Sequence, residues 1–99
     1  HTIYNYLKHN NIKCIFDVGA RNTTFKDFEH DVHYFEPLEN FYNILKDELK
    51  KSSNKNTNSY INNFGLGNKN EISTFYTKAQ SFNYRPTIYN IGIISGKGS

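Results

Sequence analysis

The chain has 99 residues, enough for one small domain or part of a larger one and too few for a two-domain enzyme. Hydrophobic residues make up 36% and charged residues 21%, a polar balance that eight Phe and eight Tyr offset, because each ring buries a large area and disordered chains are poor in aromatics. No run of about 18 apolar residues offers a membrane span, and a net charge of +3 with dispersed lysines and only two arginines gives no clustered nucleic-acid footprint.

Residues Thr2–Asn10 are predicted as a leading helix, with Ile3 and Leu7 on one side and Asn10-Asn11 ending it. No apolar signal-peptide stretch precedes it, so a cytoplasmic protein is expected. Ile12–Val18 is β-branched, aromatic and nearly continuously apolar, which predicts a buried strand of a parallel sheet. It holds Cys14, the single cysteine, so neither a disulfide framework nor a cysteine-based zinc site is expected. Gly19–Thr23 is a turn. Thr24, with Asp27 three residues on, predicts a capped short helix whose inner face is Phe25 and Phe28.

Val32–Glu36 is predicted as a second strand. Pro37 then suits the first position of a helix. Leu38, Phe41, Tyr42, Leu45 and Leu49 follow helical spacing and make this the best helix in the chain. The polar run Ser52–Ser59 predicts an exposed loop. Tyr60–Leu66 is expected as a third strand, Gly67–Asn70 as a turn and Glu71–Thr77 as a fourth, alternating strand. Tyr89–Ser95 is a weaker strand candidate, within a poorly determined tail over 79–99.

Alternating strands and helices predict an α/β fold with a parallel sheet. Right-handed crossovers put the first three strands side by side in order 3-2-1, with helices on both faces. The free edge of the first strand is expected to need cover, from a second copy or from further chain.

Ligands of such sheets bind at the carboxyl ends of the strands. The first predicted strand ends in Asp17-Val18-Gly19 and the second in Phe35-Glu36, with Asp17 and Glu36 19 positions apart. A glycine there lets a ligand approach the backbone, and an acidic residue on the next strand can accept ribose hydroxyls. Other combinations are weaker. His30 and His33 flank a turn-to-strand change and have no third partner, so no metal site is expected. Asn22-Thr23-Thr24 matches a glycosylation pattern without a secretion signal. Gly92–Lys97 has the wrong spacing for a phosphate loop.

The stretches IFDVGARNTTF, VHYFEPLENFYNILK and YINNFGLGNKNEISTFYT together resemble the FkbM-type S-adenosylmethionine-dependent methyltransferases. The resemblance covers roughly residues 11–78, and the three pieces stand in the family's order. It implies a Rossmann-like, partial methyltransferase domain with flanking helices, occupying 1–99 and corresponding to the cofactor-binding half. Further strands and most substrate contacts would belong to a C-terminal half. Asp17, Gly19 and Ala20 would line the methionine end of S-adenosylmethionine, and Glu36 would hold the ribose. Asn63, Leu66 and Asn68 would lie near the adenine. The methyl acceptor would be a hydroxyl of a sugar or other small molecule. No general base can be named.

Three residues depart from the family pattern: Arg21 for Asn, Thr23 for Gly and Asn68 for Asp. Arg21 would either pair the methionine carboxylate or block the pocket. Thr23 would add a Cβ where a positive φ is needed. These departures keep open a second possibility, a degenerate methyltransferase-like domain acting as a binding or structural module. A dinucleotide-binding half-domain is weaker, because no complete G-x-G-x-x-G is present.

Overall fold

The computed structural model describes residues 2–66 and 91–94. Their elements run α1 (Thr2–His9), β1 (Cys14–Val18), β2 (Asp31–Phe35), α2 (Glu39–Leu49), β3 (Asn58–Asn62) and β4 (Ile91–Ile94). The strands form one all-parallel sheet in the order β3-β2-β1-β4. This is an α/β architecture, and it contains the expected 3-2-1 arrangement.

The expectation of a bare outer edge on β1 is overturned, because Cys14–Asp17 pair with Ile91–Ile94. Gly92 makes this pairing feasible. A Cβ there would stand 3.2 Å from Ile12 Cγ2 and 3.4 Å from Leu7 Cδ2, so only a bare backbone passes comfortably under this corner.

Strand alternation sorts the core into two sides. Ile15, Val32 and Tyr34 join Leu7 of α1, Leu45 and Leu49 of α2, and Phe25 and Phe28. Cys14, Phe16 and Phe35 form the other side, with Phe64, Leu66, Ile91 and Ile93 against them. Both described helices therefore pack on one face, not one on each. The β1–β2 and β2–β3 crossovers run in the same direction across the sheet and, each being right-handed, share a side, so the 25–28 segment and α2 lie together; α1, which precedes β1, packs on that same side through Leu7.

The short helix expected from Thr24 does not form. Residues 25–28 make a turn in which the Phe28 N–H donates to the Phe25 carbonyl at 2.9 Å. The groups a helix would pair find distant partners. The Phe25 N–H donates to Tyr34 Oη at 3.2 Å, and Asn56 Nδ2 donates to the Phe25 and Phe28 carbonyls at 2.9 and 2.7 Å. Phe25 and Phe28 are buried all the same.

The Ser52–Ser59 segment is correspondingly more than a solvated loop. Asn56 Oδ1 accepts from Tyr34 Oη at 2.8 Å and from Ser59 Oγ at 2.9 Å. Asn54 Nδ2 donates to Ser59 Oγ and to the Leu49 carbonyl, both at 2.9 Å. The Lys55 and Thr57 amides donate to the Lys26 and His30 carbonyls. This bonding starts β3 at Asn58, two residues earlier than expected, and the strand ends at Asn62. The expected turn at Gly67–Asn70 and strand at Glu71–Thr77 lie outside the described residues. No helix among the described residues is long and apolar enough to cross a membrane.

Candidate functional site at the carboxyl ends of the strands

Beyond Val18, the Ala20 N–H donates to the Phe35 carbonyl at 2.9 Å and carries the β1–β2 pairing one step further. The turn around it is left-handed at two places, with φ of 67° at Gly19 and 59° at Arg21. Gly19 meets this at no steric cost, whereas an L-residue such as Arg21 pays roughly 1–2 kcal/mol. The strain expected at Thr23 therefore falls at Arg21, and Thr23 is not among the positive-φ residues. The Thr23 hydroxyl instead donates to the Ala20 carbonyl at 3.4 Å. Asn tolerates a left-handed φ better than Arg does.

Glu36 lies at the end of β2 and is only 2% exposed. Its Oε1 accepts the Arg21 N–H at 2.6 Å and its Oε2 accepts the Leu38 N–H at 2.8 Å. One buried carboxylate thus ties the loop after β1 to the loop after β2. It also holds Leu38 extended, at φ −83° and ψ 118°, so α2 begins at Glu39 and not at Pro37. Asn63 joins the same corner, with Nδ2 donating to the Glu36 carbonyl at 2.9 Å and the Pro37 carbonyl at 3.2 Å. An ionised carboxylate has about four lone-pair sites, so two amides leave it able to accept two further donors.

Gly19, Ala20, Glu36 and Asn63 therefore meet at the mouth between β1 and β2. Asp17 is fully buried inside β1, in register with Tyr34 and Ile94. Leu66 is partly buried against the Cys14, Phe16 and Phe35 side. Asn68 lies outside the described residues.

No pattern of residues or spacing signals the contact that Arg21 makes. Its guanidinium carbon stands 5.2 Å from the centroid of Phe41, in the first turn of α2. Leu38, Glu39, Asn40 and Phe41 line a shallow hollow of about 380 Å³ beside it. A larger hollow of about 690 Å³ opens at the opposite ends of the strands, near Tyr4, Lys13, Asp27 and His30. Its charged groups are of both signs and it is remote from Glu36, so it takes no part in this site.

Two buried groups of the sheet, the Cys14 thiol and the His33 ring, are poorly suited to chemistry. Burial pushes the Cys14 thiol up to about 12, with the Asp31 charge adding to the effect. That keeps it protonated and weakly nucleophilic. Burial pushes His33 down to about 4 against the opposing pull of Asp31. Its ring stacks on Tyr60 with centroids 4.6 Å apart, whereas the His30 ring packs edge-on against Phe28. Among the described residues no group of three His, Cys, Asp or Glu could hold a metal ion.

Comparison with protein-family models, with curated proteins and with solved structures finds no match to this chain.

Proposed function

We propose that this rim binds S-adenosylmethionine and that the chain is the cofactor-binding part of an FkbM-like methyltransferase. The observation that carries the reading is the Glu36 carboxylate: buried, held by two backbone amides, one strand from the Gly19 turn, with acceptor capacity left for two ribose hydroxyls. The cofactor would supply a methyl group on a sulfonium, for transfer to a hydroxyl of a sugar or other small molecule. In such a displacement the protein mainly positions donor and acceptor. Gly19 would admit the ligand to the backbone, Glu36 would fix the ribose, and Asn63 would hold the loop behind Glu36.

Calorimetric titration of S-adenosylhomocysteine into wild type, Glu36→Gln and Asp47→Asn tests the reading. Charge-assisted bonds to a carboxylate contribute about 1.5–3 kcal/mol each, so Glu36→Gln should weaken binding by about tenfold or more. Asp47→Asn, on the exposed side of α2, should leave affinity unchanged. Equal affinity for wild type and a folded Glu36→Gln would refute the ribose role.

A second reading has its own support. Both Glu36 oxygens already serve the chain's own backbone, and a strained arginine stands where the family has Asn. In a degenerate module Glu36 would be a structural clasp alone. A folded wild type that binds neither S-adenosylmethionine nor S-adenosylhomocysteine would favour it.

A further inference from the structure

We propose that Arg21 contacts the ligand on its base side, with the guanidinium, seated on Phe41, forming the surface on which a purine stacks. This role rests on the S-adenosylmethionine reading above. Two contacts carry it. The Arg21 amide is 2.6 Å from Glu36 Oε1, so residue 21 stands immediately beside the expected ribose acceptor. Its side chain then crosses to the first turn of α2 and lies over the Phe41 ring. That direction leads away from β1, where the Gly19 turn would meet the methionine end, and so argues against a pairing with the methionine carboxylate.

The chemistry of the group suits a stack. A guanidinium is planar and weakly hydrated, and it packs on aromatic faces and on nucleobases alike. Phe41 supports one side, while Arg21 as a whole is exposed. The adjoining hollow of about 380 Å³ is open, and Leu38, 59% exposed, lends it apolar surface. The φ of 59° is a third pointer. Backbone strain of this kind persists where the surrounding structure holds it, and it clusters at ligand sites.

The test uses two ligands, S-adenosylhomocysteine and 5′-methylthioadenosine, which share the base and ribose but not the amino-acid end. Each is titrated into wild type, Arg21→Asn, Arg21→Lys and Phe41→Leu, with thermal melting to establish folding. Asn accepts the left-handed backbone, so the turn should survive. Stacking on a base predicts that Arg21→Asn weakens both ligands equally, by about tenfold. Arg21→Lys should lose most of the same factor, because it keeps the charge without the plane. Phe41→Leu, which removes only the seat, should weaken both by about threefold, a smaller share of the stacking loss. A loss confined to S-adenosylhomocysteine would assign Arg21 to the methionine carboxylate and overturn the proposal. Wild-type affinity in Arg21→Lys would reduce the role to charge, and wild-type affinity in Arg21→Asn would leave Arg21 idle; either result overturns it. A wild type that binds neither ligand removes the S-adenosylmethionine reading, and this role with it.

Discussion

The two ends of the sheet are built differently. Where β2 and β3 begin, Asn54, Asn56 and Ser59, joined by the hydroxyl of Tyr34 from further along β2, bond to one another and to the Phe25 and Phe28 backbone. At the carboxyl ends, a single buried carboxylate spans two loops, and the backbone beside it is left-handed at Gly19 and Arg21. The first end uses its polar groups to complete the fold. The second keeps acceptor capacity and strain next to open surface. A polar cluster is thus not by itself a sign of a site; what matters is whether its bonding is already complete.

The sharpest way to break this contrast is Asn56→Asp, which keeps the shape but turns two donated bonds into contacts between a carboxylate and the Phe25 and Phe28 carbonyls. The loss should be about 3–4 kcal/mol, read from urea unfolding, with no change in ligand affinity once folded. A cost below ~1 kcal/mol would show that the network is dispensable.

Between the two ends, His33 carries the next effect. Its folded pKa near 4 lies below the ordinary 6.5, so folding favours the neutral ring. The corresponding stability is complete above the unfolded value and is lost as pH falls from about 6.5 toward 4, reaching about 3 kcal/mol. His33→Phe, which preserves a ring against Tyr60, should flatten that part of the stability–pH curve. An unchanged slope in the variant would assign the acid sensitivity to other groups.

Glu36→Gln should be milder for the fold than for binding. One of the two amides loses its acceptor, at about 1–2 kcal/mol of stability. A loss as large as that of Asn56→Asp would make Glu36 a structural clasp and erase the distinction between the two ends. Arg21→Asn should be the smallest, within about 0.5 kcal/mol of wild type in a melting series. Relief of left-handed strain there offsets the loss of an exposed cation–π contact of roughly 0.5–1 kcal/mol.

Much of the architecture was legible because it rests on local pattern. The apolar runs before Gly19 and Pro37 marked β1 and β2, and the spacing through Leu45 and Leu49 marked α2. The parallel order of β3, β2 and β1 followed from alternation and handedness. The features that escaped depend on partners far along the chain. Thr24 and Asp27 spell a helix start, yet Asn56 and Tyr34 claim the backbone around Phe25. The 52–59 segment reads as solvated, because side-chain bonds to distant carbonyls leave no periodicity. Leu38 lies on the helical spacing, but Glu36 captures its amide and the helix starts at Glu39, two residues after Pro37. At the candidate site, the Asp17–Glu36 spacing pointed to the carboxyl ends of β1 and β2, where Glu36 and the Gly19–Arg21 turn do meet, while Asp17 itself stays inside β1. Neither the left-handed turn at Arg21 nor its reach to Phe41 can be read from composition or spacing, since both follow from how two loops meet.

The pairing of β1 with β4 has a consequence for the order of assembly. Cys14 meets Asp31 across 17 positions, Asp31 meets Asn58 across 27, and Cys14 meets Ile91 across 77. Closing the longest of these loops costs roughly 1 kcal/mol more entropy than closing the shortest, and distant contacts are slow to form. All parts of the Glu36 corner lie between Gly19 and Asn63, so they leave a ribosome well before Ile91 does. The mouth of the sheet is therefore expected to take shape during synthesis while the far flank of β1 is still bare. In the finished fold, amides bonded between β1 and β4 should exchange with deuterated solvent ahead of those between β1 and β2.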